Sequence, residues 1–245
     1  MLALTEGVRR IDIESVHAVV MAKYPEPGRG KTRLISDSLS AETASEVAMA
    51  MLQCMIRRLG IFGQVILGVT PDGFGSDMSR RLGPANVRIV DQGPGNLGQR
   101  LDHVWKQVGV DQAIAFFGMD SPDIPIEWLK MIPESLERSD LALGSTEDGG
   151  YWTLAARRYV PLVLRKIDWG SESVYHQTCQ RAEEAGYSLE ELPVWPDVDT
   201  PEDLMKLRHR LAVTKPSATV KDAALLRLAC RLNELLALPE NPENS

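Results

Sequence analysis

Cysteine is scarce in this chain, and long apolar runs are missing. The three cysteines, Cys54, Cys179 and Cys230, are widely separated in a sequence of 245 residues. An odd number of scattered cysteines predicts neither a disulfide framework nor a zinc site and fits a reducing cytosol. No apolar stretch approaches the length of a membrane span, and no apolar segment with a cleavage site stands at the start. We therefore expect a cytoplasmic protein without membrane insertion.

Positive charge is also in short supply. Lysine and arginine total 27 against 34 aspartate and glutamate residues, which gives a formal net charge of -7. A chain without a broad basic surface is poorly suited to a nucleic-acid backbone, so we exclude nucleic acid as a partner. The basic residues that do cluster are Lys23, Arg29, Lys31 and Arg33. This local concentration suits a small phosphorylated ligand.

Short apolar runs alternate with helical patterns along the chain. The runs predict strands at residues 17–22, 65–69, 87–90, 113–117, 141–144 and 151–155. The helical patterns cover residues 41–59, 78–82, 97–108, 127–136, 172–185, 201–211 and 223–236. This alternation predicts an α/β protein, a three-layer sandwich with a mostly parallel central sheet. In such a sheet the ligand loops lie at the carboxyl ends of the strands.

The length and composition favour one domain, at residues 16–213. Residues 1–15 are predicted to be an N-terminal tail. The KPSAT stretch at residues 215–219 marks a boundary, so residues 214–245 are predicted to be a linker, an amphipathic helix and a loose tail. We expect that helix to dock either on its own domain or on a partner subunit, and the second arrangement would give a homo-oligomer.

The basic cluster lies in a loop, KYPEPGRGKTRL at residues 23–34, that follows the first predicted strand. Glycines such as Gly28 allow the backbone to approach a phosphate, and lysine and arginine supply charged donors to its oxygens. A Walker A loop would need glycine at the position of Pro25, so that alternative is weak. A second alternative, that these are solvated surface charges, stays open.

Two acidic motifs follow predicted secondary structure. In FFGMDSPDIP, residues 116–125, Asp120 comes directly after a buried strand and is the first candidate metal ligand. The alternative is that Asp120 or, more plausibly, Asp123 caps the next helix. In PDVDTPEDL, residues 196–204, Thr200 begins a helix, which leaves Asp197 and Asp199 unexplained. Asp199 is the candidate for the second carboxylate on the metal.

Two glycine-containing motifs are less specific. In STEDGGYW, residues 145–152, Asp148, Gly149, Gly150 and Tyr151 are candidates for contacts with an acceptor or substrate. Asp-Gly-Gly is also an ordinary hairpin turn signal. In DQGPGNLGQRL, residues 91–101, the glycines and a helix start could accommodate a base or phosphate, and a plain turn explains them equally well.

These motifs and IDWGSESV, in this order over residues 16–211, closely resemble a bacterial family of GT-A-like transferases. Its members carry labels such as selenodomain-associated transferase and arsenosugar-biosynthesis glycosyltransferase. More distantly, the chain resembles the guanylyltransferases of cofactor biosynthesis. The resemblance implies a nucleotide-diphospho-sugar transferase fold in which Lys31 and Arg33 grip donor phosphates. It further implies that Asp120 and Asp199 hold Mg²⁺ or Mn²⁺ and that Gly98 lies near the base. The family usually has aspartate where this chain has Asn96, so Asn96 receives no role.

The combined expectation is a metal-dependent transferase acting on a nucleotide or nucleotide sugar and a small-molecule acceptor. Lys31, Arg33 and Asp120 are the predicted catalytic residues, and Lys23, Gly28, Lys31, Arg33 and Gly98 the predicted nucleotide-binding residues. Nucleotidyl and glycosyl transfer both fit. The turn containing Asp120 lacks an Asp-x-Asp pair, which slightly favours nucleotide chemistry. A non-catalytic nucleotide-binding or scaffold module of the same fold is the alternative.

Overall fold

The computed structural model describes residues 11–213 and 220–237. Seven strands form one sheet: β1 (Val16–Lys23), β2 (Val65–Thr70), β3 (Val87–Asp91), β4 (Ala113–Gly118), β5 (Leu141–Ser145), β6 (Tyr151–Ala156) and β7 (Leu189–Leu192). Their order across the sheet is β3-β2-β1-β4-β6-β5-β7. Strands β1 to β4 run parallel, as do β5 and β7, whereas β6 is antiparallel to both of its neighbours. The prediction of a mostly parallel sheet is confirmed.

The helices lie close to their predicted positions: α1 (Ala41–Leu59), α2 (Gly75–Leu82), α3 (Leu97–Val108), α4 (Ile126–Arg138), α5 (Val174–Glu184), α6 (Pro201–Val213) and α7 (Val220–Leu236). Helix α1 has its predicted bounds because Ser40 accepts a hydrogen bond from the Thr43 amide and Gly60 ends the helix. Helix α3 also has its predicted bounds, for a reason given below. Strand β7 was not predicted from the sequence.

Hydrophobic side chains cover both faces of the sheet. Along β1, Ala18 and Val20 face the layer of α1, α2 and α4, while Val19 faces the layer of α3 and α5. Each face of the sheet therefore has its own core, as expected for a parallel sheet that is buried on both sides. The three-layer α/β architecture is confirmed.

The C-terminal helix α7 docks on its own domain. Ala224, Leu228 and Leu232 are buried in a third core with residues of α1 and α6. Arg231 adds an ion pair with Glu46 at 3.4 Å. Of the two arrangements expected for this helix, the structure shows the one within the chain. The predicted boundary at residues 215–219 lies outside the described residues.

The described part of the predicted N-terminal tail also contacts the body of the protein. The Ile11 amide donates to the Glu137 carboxylate at 2.8 Å, and Ile11 and Ile13 pack against the first core. Across residues 11–213 and 220–237, no helix is both long and apolar enough to cross a membrane.

Candidate active site

Four sequence motifs meet at the end of the sheet where the parallel strands have their carboxyl ends. The order of the strands reverses between β1 and β4, because β2 and β3 lie on one side of β1 while β4 lies on the other. Such a reversal opens a crevice at the carboxyl ends of the strands. The basic loop leaves β1 there, and Asp120 follows β4. Since β6 is antiparallel, its first residue, Tyr151, starts at the same edge.

A backbone carbonyl of the basic loop anchors the loop to α1 and α2. The Pro25 carbonyl accepts hydrogen bonds from the Ser45 hydroxyl at 2.7 Å and from the Arg81 guanidinium at 2.6 Å. Lys31 has left-handed backbone angles, φ 50° and ψ 40°, at the start of a 3₁₀ turn over Thr32–Leu34. A Walker A loop would run into a helix at this point, whereas α1 begins only at Ala41. The structure thus excludes the P-loop alternative.

Lys31 points into the site and contacts two of the predicted acids. Its Nζ lies 2.8 Å from Asp120 Oδ1 and 2.5 Å from Asp199 Oδ1, and it donates to the Val198 carbonyl at 2.6 Å. Its side chain is only 10% exposed. Burial by itself would lower the pKa of Lys31, but the two carboxylates outweigh it and raise that pKa. Lys31 therefore stays charged.

Asp120 lies in the turn after β4. Burial raises its pKa above the ordinary value for aspartate, and Lys31 opposes that rise. The Asp120 backbone carbonyl accepts from the Val198 amide at 2.9 Å, and the Ser121 hydroxyl donates to the Pro196 carbonyl at 3.1 Å. These bonds fix the turn after β4 against the segment that carries Asp199.

The alternative that Asp123 caps the helix after β4 is wrong. Helix α4 begins after Pro125 without a side-chain cap. Asp123 is instead buried, and it accepts from Arg210 Nε at 2.6 Å and from Trp195 Nε1 at 3.2 Å. This pairing joins the turn after β4 to α6. A buried carboxylate without a charged partner would destabilise the fold, so pairing with Arg210 takes precedence over capping α4.

The start of α6 leaves Asp197 and Asp199 available, as predicted. Asp203 accepts from the Thr200 amide at 2.9 Å, and the Asp203 amide donates back to the Thr200 hydroxyl at 3.2 Å. This reciprocal pair satisfies the helix start. Asp199 and Asp197 are consequently not used as caps, and both line the site.

Carboxylate oxygens of Asp148, Asp197 and Asp199 lie within 4.8 Å of one another. Burial, together with the charges of Asp148 and Asp199, raises the pKa of Asp197 to about 6. Asp197 was left without a role in the sequence prediction. The turn after β4 lacks an Asp-x-Asp pair, yet Asp197 and Asp199 form such a pair elsewhere in the same site. The lack of a pair after β4 is therefore no evidence against sugar transfer.

The turn between β5 and β6 is both a hairpin and a wall of the site. Asp148 accepts from the Thr146 hydroxyl at 2.6 Å and from the Gly150 amide at 3.0 Å. Gly149 has φ +85°, and an added Cβ would lie 1.8 Å from the Glu172 carbonyl oxygen. Tyr151 lines the cavity, and its hydroxyl is buried and has no hydrogen-bond partner among the described residues. Burial also raises the Tyr151 pKa.

The loop before α3 has a structural explanation. Asn96 accepts from the Gln99 amide, and the Gln99 side chain accepts from the Asn96 amide, both at 3.0 Å. This capping box explains the start of α3 and assigns Asn96 a structural role. Gly98 packs under the Trp169 indole, where an added Cβ would lie 2.6 Å from Trp169 Nε1. Trp169 was not among the predicted site residues, although the motif IDWGSESV contains it.

The remaining predicted ligands of the phosphates are exposed. Arg33 is 77% exposed, with Nη1 3.5 Å from Asp199 Oδ2. Lys23 ends β1, and Gly28 has φ +74° with open space around its Cα. An open cavity of about 540 Å³ connects Arg33 and the acids with Leu97, Tyr151 and Trp169. Lys23 and Gly28 do not line this cavity.

Known proteins share this architecture. Residues 59–171 match DUF2064, a family described as an uncharacterized protein conserved in bacteria. The crystal structure of a proposed nucleotide-diphospho-sugar transferase from Desulfovibrio desulfuricans G20 superposes with a TM-score of 0.76 and 26% identity, covering 90% of this chain and 98% of that one. The chain has the nucleotide-diphospho-sugar transferase fold. The resemblance stated from the motifs is thereby confirmed.

Two further comparisons refine this relationship. A 2-phospho-L-lactate guanylyltransferase from Methanopyrus kandleri is 29% identical over 188 residues, which are 74% of this chain and 86% of that protein. A cytidylyltransferase from Leptospira borgpetersenii has a TM-score of 0.51 at 14% identity, covering 91% of this chain and 96% of that one. At that identity the similarity shows the fold alone.

Proposed function

We propose that this transferase relative is a metal-dependent nucleotidyltransferase, which moves a nucleotide from a nucleoside triphosphate to a small anionic acceptor. The observation that carries the proposal is the contact of Lys31 with Asp120 and Asp199 at the crevice between β1 and β4. A basic loop facing a set of carboxylates is suited to a polyphosphate that arrives with its cation. The similarity to a guanylyltransferase that acts on a phosphorylated acid supports the same reaction.

The acids of the site fit a divalent metal. Three carboxylate oxygens within 4.8 Å of one another can hold one cation after a small inward shift, since two oxygens bound to Mg²⁺ at about 2.1 Å lie at most about 4.2 Å apart. Burial raises the pKa of Asp197, and the charges of Asp148 and Asp199 raise it further, so a bound cation would favour its ionised form. Asp199, Asp148 and Asp197 would hold Mg²⁺ or Mn²⁺, with Asp120 completing the site that the sequence predicted. When bound, the metal would neutralise charge on the phosphate oxygens.

The residues of the site have separate roles in this reaction. An acceptor oxygen attacks the α-phosphorus of the triphosphate, and the bond to the β-phosphate oxygen breaks to release pyrophosphate. Lys31 and Arg33 stabilise the charge that develops on that leaving group. Asp148, Gly149, Gly150 and Tyr151 face the acceptor. On this proposal Gly98 supports the Trp169 indole beside the base, while Lys23 and Gly28 lie outside the cavity and would contact only phosphates that extend beyond it.

Glycosyl transfer from a nucleotide sugar is the second candidate. Two observations favour it: the Asp197–Asp199 pair, and the similarity to the proposed nucleotide-diphospho-sugar transferase of D. desulfuricans. In that reaction an acceptor oxygen attacks the sugar carbon and a nucleoside diphosphate leaves. The same acids and basic loop would serve the diphosphate.

Thermal stability with a ligand panel tests these candidates, because a ligand that binds the native state raises the melting temperature. The panel contains nucleoside triphosphates, diphosphates and nucleotide sugars, each with Mg²⁺, Mn²⁺ or a chelator. A metal-dependent shift with one triphosphate supports nucleotidyl transfer, and a shift confined to nucleotide sugars supports glycosyl transfer. Binding that ignores the metal, with no turnover of any acceptor, would make the protein a binding module.

Substitution of Asp120 tests the mechanism. Asp120→Asn keeps the shape of the side chain and should abolish turnover while circular dichroism remains unchanged. Asp37→Asn removes an exposed acid outside the site and should keep activity. Full activity in Asp120→Asn would remove this residue from the mechanism.

A further inference from the structure

We propose that Lys31 makes the site selective for the metal–nucleotide complex over the free metal. Its ammonium group is the internal counter-ion of the acids, and it leaves them only when a phosphate replaces them as its partner. This inference rests on the proposed function and adds to it an order of binding.

The Lys31 ammonium is directed at the acidic side of the site. It donates hydrogen bonds to Val198 O at 2.6 Å and to Asp199 Oδ1 at 2.5 Å, and it forms an ion pair with Asp120 Oδ1 at 2.8 Å. An ammonium group has three donors, and two of them are used in these hydrogen bonds. To bind a nucleotide phosphate with more than one donor, Lys31 must give up a contact on the acidic side.

The contact also limits the metal. Asp199 Oδ1 is the oxygen that Lys31 holds most closely, and Asp199 belongs to the carboxylate group that can hold a cation. A dication on Asp199 would lie next to the Lys31 ammonium, and like charges at such a distance repel. Lys31 is only 10% exposed, so solvent screens this repulsion weakly. The free metal and the ammonium therefore compete for Asp199.

A nucleotide removes the competition. Its phosphate oxygens offer Lys31 a charged partner, and its metal offers the acids a replacement cation. Each exchange makes the other favourable, so binding of the metal and binding of the nucleotide are coupled reciprocally. Arg33 competes less with the metal than Lys31 does, because its side chain is 77% exposed and its Nη1 lies 3.5 Å from Asp199 Oδ2, against 2.5 Å for the Lys31 contact with Asp199 Oδ1.

The test is Mn²⁺ binding without nucleotide, measured by the electron paramagnetic resonance signal of free Mn²⁺. We compare wild-type protein with Lys31→Met, Lys31→Gln and Arg33→Gln. Both Lys31 variants should bind Mn²⁺ about tenfold more tightly than wild type, within the usual range of coupling between two sites. Arg33→Gln removes the same charge from the same loop and should change the affinity by no more than about threefold.

These measurements distinguish a specific effect of the Lys31 contacts from a general effect of net charge. Equal tightening in Arg33→Gln would overturn the proposal, because general electrostatics would then explain the effect. Unchanged or weaker Mn²⁺ binding in both Lys31 variants would overturn it as well, as would a lack of Mn²⁺ binding by every variant. Circular dichroism checks the fold, and Lys31→Gln keeps an amide that can donate to the Val198 carbonyl.

A second measurement distinguishes this proposal from the proposed function. In wild-type protein, a non-hydrolysable nucleoside triphosphate should tighten Mn²⁺ binding beyond what the nucleotide binds by itself, and this coupling should shrink in Lys31→Met. Nucleotide turnover with no such coupling would refute the role of Lys31 and leave the transferase function standing. Absence of nucleotide binding would refute the function itself.

Discussion

Asp197 should destabilise the metal-free protein at neutral pH. Its pKa rises from 3.8 to about 6 in the folded state, because burial and the charges of Asp148 and Asp199 oppose ionisation. A group with a raised carboxyl pKa binds its proton more tightly in the folded than in the unfolded state. Stability is therefore lost as the pH rises from the unfolded value of 3.8 to the folded value of about 6.

The size of the effect follows from that shift. A change from 3.8 to about 6 corresponds to about 3 kcal/mol if the site were wholly shielded from water. Asp197 is only partly buried, so we reduce this to about 1–2 kcal/mol. Asp197→Asn should raise the free energy of unfolding by that amount at about pH 7.5, and by about 1 kcal/mol less at about pH 4.5.

Urea denaturation in the presence of chelator, followed by circular dichroism at both pH values, measures this difference. Asp37→Asn is the matched control, since it removes one exposed carboxylate and leaves the site unchanged. A gain in Asp197→Asn that is the same at both pH values would refute the reasoning, because the stabilisation would then not come from ionisation. Mn²⁺ should reduce the gain at neutral pH by neutralising Asp197 in the wild type.

Two predictions concern the supports of the site. Gly149→Ala should cost about 2–4 kcal/mol of unfolding free energy, because the strain of a positive φ and the collision with the Glu172 carbonyl add together. Gly186→Ala is the control. Gly186 has φ +75° with open space around it, so this substitution should cost only about 1 kcal/mol. Equal losses in urea denaturation would contradict the collision. Asp123→Ala should cost about 3 kcal/mol by removing a buried carboxylate that pairs with Arg210 and accepts a hydrogen bond from Trp195, and a loss below about 1 kcal/mol would show that the pair is well solvated.

The sequence predicted most of the fold because its signals are local. Ser40 and Gly60 bracket α1, and apolar runs mark every strand from β1 to β6. Strand β7 escaped because its residues, Leu189–Leu192, include two glutamates in a four-residue run. It is a strand because β5 offers it a parallel partner, which is a tertiary effect that the local pattern does not contain.

The sequence predicted only part of the site, because local motifs do not show contacts between residues that are far apart along the chain. The motifs located Lys31, Asp120 and Asp199 near one crevice, because parallel strands end at a common edge. The 2.5 Å contact of Lys31 with Asp199 joins residues 168 positions apart, so the sequence could not show that the lysine holds the acids. The burial of Asp123 against Arg210 was hidden for the same reason. A helix-capping position was the only local explanation available for it.

The balance of charge connects the site to its proposed ligand. Asp120, Asp148, Glu172, Asp197 and Asp199 share the site with Lys31 and Arg33, so ionisation of all seven groups leaves a net charge of three minus. A bare triphosphate would add to that excess and would be repelled, whereas a divalent cation reduces it to one minus. Burial is the main cause of the raised pKa of Asp197 in the ligand-free protein, and the charges of Asp148 and Asp199 raise that pKa further. A site built with three more acids than bases is thus suited to a polyanion only when the metal enters with it.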